Sequence, residues 1–310
     1  MSGHTKKHWR SRSLRWTIGA ALLAAVGWTG SAVAAAVTFN TALPVGVGDF
    51  VFREQFIFSR ASRDPSAANR SVEAWGAISV LGYGVTSDFT LFGMLPYMNK
   101  RLDFTMGGST FRRRTDGIGD ASVFGRYTIF QDNFPGGNFR IAPFAGIKAP
   151  TGESRASDSL GRLPQPIQLG SGSWDYFGGV VATYQTLDFQ IDTQGSYKAN
   201  TSANDFRFGD EARLDASFQY RLWPRELKEG VPGFLYGVLE ANLIHQDKNR
   251  IGGIADPNSG GTTLFLAPGL QYVTQRWILE AVVQLPVVQD LNGTALKSNF
   301  NVLAGFRVNF

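Results

Sequence analysis

Along the last twelve residues, Phe300, Val302, Ala304, Phe306, Val308 and Phe310 alternate with Asn299, Asn301, Leu303, Gly305, Arg307 and Asn309. Only an extended strand puts two such sets on opposite faces. One face is apolar and half aromatic; the other is polar apart from Leu303. A strand reads this way when one side meets lipid and the other the interior of a barrel. A single amphipathic strand also suits a sheet with one wet face, so the weight lies in repetition. From Asp49 onward the same unit, about eleven alternating residues and then a connection, recurs to give twelve strands.

These strands are expected at about residues 50–58, 72–83, 89–104, 120–129, 139–149, 174–185, 187–197, 211–222, 234–246, 262–272, 277–288 and 299–310. The eighth is the clearest: Ala212, Leu214, Ala216, Phe218, Tyr220 and Leu222 oppose Glu211, Arg213, Asp215, Ser217, Gln219 and Arg221. In the third, Pro96 cannot donate to a ladder and marks a bulge or distortion. In the first, Glu54 interrupts the aromatic face of Phe50, Phe52, Phe56 and Phe58. Connections alternate in length. Long ones centre on Pro65, Gly108, Gly161, Ala203, Ala255 and Gly293, and short turns fall between them, apart from a longer one at residues 223–233. A barrel with both chain ends in the periplasm alternates outer loops and inner turns in this way. Arg112, Arg113 and Arg114 are expected in the outer loop after the third strand. Tyr83, Tyr127, Trp174, Tyr197, Tyr220, Trp223, Tyr236, Tyr272 and Trp277 fall near strand ends and suit two aromatic girdles.

The amino end carries Lys6, Lys7, Arg10, Arg12 and Arg15, then an apolar run from Ile18 to Trp28, then Ala32-Val33-Ala34. This is the pattern of a secretory signal peptide, with cleavage expected after Ala34 or Ala36. The expected organisation is a removed signal at residues 1–34, an amino-terminal segment at 35–48 in the lumen or periplasm, and a barrel at 49–310. Losing five of the 30 basic residues and none of the 25 acidic ones leaves the remainder formally neutral, so charge gives no support to a nucleic-acid partner. After residue 30 no apolar run approaches the roughly 20 residues a spanning helix needs. There is no cysteine, which excludes disulfides and thiolate metal sites.

Chemistry is poorly supplied. Past the signal the one histidine is His245, followed by Gln246 and Asp247, with no serine close on its strand face. A hydrolase built on the wall would need such a base, but the expected reading is a solvated loop-base histidine, no catalytic residue, no metal and no cofactor. Gly117-Ile118-Gly119-Asp120 precedes no helix and starts a strand rather than cradling phosphate. The lumen is then the functional surface. Alternation points Asp120, Arg126, Asp188, Asp192, Glu211, Arg213, Asp215, Glu280 and Arg307 inward, together with Arg140, Lys148 and Arg221. Both signs are present. They can brace the interior as ion pairs or line a pathway, which Phe124 and Phe144 would narrow. Arg126, Arg213 and Arg307 are expected to set ion preference more strongly than the loop arginines.

Gly82-Tyr83-Gly84-Val85-Thr86-Ser87-Asp88, Leu95-Pro96-Tyr97, Gly117-Ile118-Gly119-Asp120, Lys148-Ala149-Pro150-Thr151-Gly152, Leu169-Gly170-Ser171-Gly172 and Pro268-Gly269-Leu270-Gln271-Tyr272 resemble the outer-membrane transporter family named after the meta-pathway of phenol degradation. Ala149 departs from the larger apolar residue of that pattern. The resemblance implies an outer-membrane barrel for uptake or export of small aromatic or hydrophobic compounds. Phe310 similarly resembles the assembly signal of bacterial outer-membrane barrels. The expectation is therefore an all-β, antiparallel transmembrane barrel of about 12 strands in the bacterial outer membrane, passing small molecules passively. Its partners would be lipid, the barrel assembly machinery and a small solute. The alternatives are a non-conducting structural or adhesion barrel and an outer-membrane hydrolase.

Overall fold

The computed structural model describes residues 34–226 and 233–310, so the expected signal peptide lies outside the described residues except for Ala34. Twelve antiparallel strands close into a barrel. They are β1 Phe50–Arg63, β2 Ser71–Gly84, β3 Phe89–Met106, β4 in three pieces (Ser109–Ile118, Ser122–Tyr127 and Phe130–Phe134), β5 Gly137–Lys148 and β6 Asp175–Thr186. The rest are β7 Phe189–Ala199, β8 Glu211–Trp223, β9 Phe234–Gln246, β10 Gly261–Val273, β11 Trp277–Leu291 and β12 Lys297–Asn309. Each strand pairs with its neighbour in sequence, and β12 returns to β1 with Val51 opposite Asn309 and Phe58 opposite Val302. At the seam Phe50 N–H donates to the Phe310 carbonyl at 2.7 Å and Phe310 N–H to that of Phe50 at 3.0 Å. Closure leaves no ladder edge, the condition for spanning a bilayer with strands.

The alternation places side chains inside out relative to a water-soluble domain. On β8, Leu214 and Phe218 are 60% and 46% exposed, while Asp215 and Gln219, each the next residue along, are 1% and 0% exposed. Lipid takes the first set and the lumen the second. The one acid that breaks the outward face of β1, Glu54, accepts a hydrogen bond from the Ser79 hydroxyl of β2 at 2.7 Å.

The fourth strand departs from expectation. It begins at Ser109, just past a tight turn at Gly107 and Gly108, which both have positive φ (59° and 79°). Arg112, Arg113 and Arg114 therefore sit on the ladder against β3 rather than in a loop. The strand breaks opposite Pro96: Ile118 pairs with Tyr97 and Ser122 with Met94, so three residues of β4 face two of β3. With no proline N–H to bond, residues 119–121 leave the ladder and turn to the long outer loop, while the Pro96 carbonyl still accepts from Gly119 N–H at 2.8 Å.

Trp75, Trp174, Tyr176 and Tyr197 point outward near the outer ends of their strands, Tyr97 points outward from the middle of the long β3, and Tyr83, Tyr127, Tyr220, Trp223 and Trp277 lie near the inner ends. Tyr236 is not among them. It faces the lumen, 6% exposed, against Ala34, Val273 and Ile278, because even-numbered residues of β9 point inward. Phe310 stacks on Phe50 with ring centroids 5.7 Å apart. Deleting Phe310, or replacing it with Asp, is expected to lower outer-membrane yield well below that of the matching change at Asn309, read by heat-modifiable gel mobility. Equal yields would remove the assembly role from Phe310.

Candidate functional site: the barrel lumen

The lumen is not empty. Residues 34–48, which carry no charged side chain, enter beside the inner ends of β9–β11, rise to mid-barrel, cross to β6 and descend to β1. Ala34 packs on Tyr236, Val273 and Ile278, and Val37 on Val238, Ala267, Val282 and Leu303. An extended segment has no internal partners for its backbone, and a buried unpaired N–H or C=O is costly. Wall side chains supply the partners. Gln271 accepts from Ala35 N–H at 3.0 Å and donates to the Ala35 carbonyl at 2.9 Å. Glu240 accepts from Val37 N–H at 2.7 Å and from Thr38 N–H at 3.0 Å, and also from the Thr38 hydroxyl. Arg307 donates to the Ala36 carbonyl at 2.6 Å and Gln55 to that of Val37 at 2.9 Å. On the descending limb, Arg126 donates to the carbonyls of Thr41 and Leu43, and Thr183 accepts from Ala42 N–H at 2.8 Å.

The wall has two faces. From β7 to β12 it carries most of the buried polar side chains, around the apolar patches that seat Ala34 and Val37. Glu280, buried, is held between Arg53 at 2.7 Å and Arg307 at 3.0 Å. Asp192 accepts from the Thr183 hydroxyl, from Gln190 at 2.8 Å and from Gln219 at 3.0 Å. Asp215 takes Asn242 at 2.8 Å and Arg213 at 3.2 Å.

From β3 to β6 the wall is aromatic. Phe92 and Phe124 stack at 4.7 Å, and Phe144 and Phe177 meet Phe124 edge-on at 6.3 and 5.9 Å. Glycines make room for the rings. A Cβ on Gly146 would come within 2.7 Å of the Phe177 ring, and one on Gly179 within 2.9 Å of the Phe144 ring. A cavity of about 1140 Å³ lies along this aromatic shelf. Its lining reaches from Lys148, Lys198 and Asn301 in the outer half to Val47, Phe50 and Asn309 at the inner end.

Loop residues fold over the outer mouth. Lys148 binds Asp120 at 2.6 Å and Asp175 at 2.7 Å, and Asp120 also accepts from Gly152 and Ser171 N–H at 3.0 and 2.8 Å. Leu163 and Ile167 pack on Leu102 of β3. Arg113, buried, binds Asp158 at 2.7 Å, and that guanidinium holds the Asp158 carboxyl below the usual carboxylate range. Arg113, expected in an outer loop, thus stands on a strand and anchors the loop after β5.

Most sequence-expected lumen residues stand where alternation puts them. Asp192, Asp215, Glu280 and Arg126 are buried in the wall network and Arg307 is part-buried against Glu280, while Glu211 and Arg213 line the outer half of the cavity. Asp120 faces inward from the break in β4. Asp188 is the correction. It sits in the turn between β6 and β7, its side chain 67% exposed, gripping Arg221 at the rim, because the ladder resumes only at Phe189. Sequence reading passed over Glu240, Gln271 and Asn242. The signal that could have found their role is the charge-free run at residues 35–48, which is short of any partner for its backbone. His245 is 57% exposed on the outer face, with Nδ1 2.9 Å from the Thr262 hydroxyl and Nε2 3.7 Å from Asp247.

The sequence profile of a family described as the MetA-pathway of phenol degradation matches residues 66–285. The chain belongs to this family. No curated protein sequence matches it. Among solved structures, an outer membrane channel from Pseudomonas putida F1 superposes with a TM-score of 0.67 at 15% identity, covering 87% of this chain and 98% of that one. The β domain of the Bordetella autotransporter Brka gives 0.44 at 12% identity over 85% and 100%. The transport unit of AIDA-I from Escherichia coli gives 0.47 at 12% over 84% and 90%. The first establishes the fold of this phenol-degradation family member as an outer-membrane barrel, and the bacterial outer membrane is its location.

Proposed function

We propose that this barrel is a passive outer-membrane channel for small aromatic compounds. The observation that carries the reading is the two-faced lumen. A cavity of about 1140 Å³ has a four-phenylalanine shelf on one side and a hydrogen-bonding wall on the other. A solute with an aromatic ring and a polar group matches both, because ring-on-ring contact adds to apolar burial and the polar wall replaces the water the substituent loses. Membership in a phenol-degradation family and the fold shared with a Pseudomonas putida outer membrane channel support it, the second as analogy only. A wide general pore does not fit a barrel of this size with a segment inside it.

The test is flux of benzyl alcohol and of a sugar of similar mass into liposomes carrying the refolded protein. The aromatic solute is expected to enter faster than the sugar, and Phe124→Ala is expected to lower its rate while leaving the sugar unchanged. Equal rates for both solutes in the wild-type protein would remove the aromatic preference. No flux of either would favour a closed structural barrel.

A further inference from the structure

Six cations line the cavity: Arg53, Arg126, Lys148, Lys198, Arg213 and Arg307. Five of them are engaged. Arg53 and Arg307 share Glu280, Lys148 holds Asp120 and Asp175, Arg213 lies against Asp215 and Glu211, and Arg126 donates to two carbonyls of the luminal segment. Lys198 alone makes no hydrogen bond or ion pair among the described residues. Its position gives this meaning. In the ladder Lys198 on β7 stands directly opposite Phe177 on β6, and Phe177 meets Phe124, the ring at the centre of the shelf, at 5.9 Å. On its other side the partner position is Glu211, whose carboxylate lies 3.9 Å from Arg213 instead.

We propose that Lys198, Phe177 and Phe124 form a binding station for aromatic carboxylates in the outer half of the lumen. The proposal rests on the channel reading above and narrows its solute class. The carboxylates of Asp175 and Glu211 act on this ammonium without touching it, and an ammonium free of contact pairing beside an aromatic surface matches a ligand with a ring and an anionic group one bond away. The ring lies on Phe124 and Phe177, and the carboxylate accepts a charge-assisted hydrogen bond from Nζ. A neutral aromatic alcohol gains the ring contact alone. Elsewhere along the cavity Arg53 and Arg307 are already paired with Glu280, and Arg213 with Asp215. The cation without a contact partner is the one beside the shelf, Lys198 opposite Phe177.

Titration calorimetry of the refolded, detergent-solubilised barrel with benzoate and with benzyl alcohol tests this. Benzoate is expected to bind more tightly than benzyl alcohol. Lys198→Gln should weaken benzoate about five-fold, the scale of one partly solvated ion pair, and leave benzyl alcohol unchanged. Lys198→Arg should restore benzoate binding, and Phe177→Ala should weaken both ligands. Heat-modifiable mobility identifies the folded variants, and the arginine variant keeps the charge test available if glutamine disturbs assembly. Equal binding of the two ligands to the wild-type barrel, no loss of benzoate in Lys198→Gln, or equal loss of both ligands in it would overturn the station. Benzyl alcohol flux into liposomes decides the channel reading separately.

Discussion

Removing residues 35–46 is expected to raise single-channel conductance several-fold while the barrel stays folded. The segment occupies the inner half of the lumen, and its backbone, not its side chains, makes most of the contacts. Nine wall residues, Arg53, Gln55, Thr90, Arg126, Thr183, Gln194, Glu240, Gln271 and Arg307, take its N–H and C=O groups. The ladders of all twelve strands run without it, including the β1–β12 seam. Deletion therefore leaves wall groups facing water that enters the vacated space, and a solvated carboxylate or guanidinium carries none of the penalty of a buried unpaired one. Glu240→Ala is a milder form of the same experiment. It strips the acceptor from Val37 N–H, Thr38 N–H and the Thr38 hydroxyl at once, and is expected to give brief openings of the deletion's size rather than a steady current. Unchanged conductance in the deletion, with heat-modifiable mobility intact, would place the constriction in the outer loops that Lys148 and Arg113 anchor.

How far sequence reached follows from what the bilayer selects. Where a strand crosses lipid, outward positions must be apolar, so the period-two pattern is strong and β8 to β12 are found within three residues of their ends. Beyond the bilayer nothing enforces that contrast. The outer piece of β4 carries Arg112 and Arg114 where a lipid-facing residue would be apolar, and it reads as loop although its ladder with β3 is unbroken from Ser109 to Ile118. The same alternation placed Asp192, Asp215, Glu280 and Arg307 in the lumen. It went wrong at Asp188 by starting β7 two residues early, in a turn that presents its side chain to the rim. The route of residues 34–48 left no periodic trace, because wall side chains reading a backbone demand no particular sequence from it. Pairing across the lumen is likewise invisible in a linear pattern. Lys198 and Lys148 are alike in the strand alternation, and only the fold shows that Lys148 touches two carboxylates and Lys198 touches none.

Glu280→Ala is expected to destabilise the barrel by about 3–5 kcal/mol, the cost of leaving buried charges without their partner. The Glu280 side chain is fully buried on β11, with Arg53 of β1 at 2.7 Å and Arg307 of β12 at 3.0 Å, and it accepts a further hydrogen bond from Gln271 at 3.0 Å. One carboxylate thus compensates two guanidiniums whose side chains are only 18% and 14% exposed. It does so across the seam where the chain closes on itself. Alanine leaves two like charges facing each other there, so the loss exceeds that of removing one arm: Arg53→Ala still leaves Glu280 paired with Arg307. Glu280→Gln keeps the shape and part of the hydrogen bonding but not the charge, and is expected to fall between the two. Replacing all three by apolar residues of similar volume should recover much of the stability, because the desolvation cost disappears together with the attraction. Urea unfolding in lipid vesicles, followed by tryptophan fluorescence, orders the four variants. If Glu280→Ala proves no worse than Arg53→Ala, water reaches the triad and screens it. The two arginines would then be held chiefly by the carbonyls of Ala36 and Val37, and the luminal segment, rather than the ion pairs, would brace the seam.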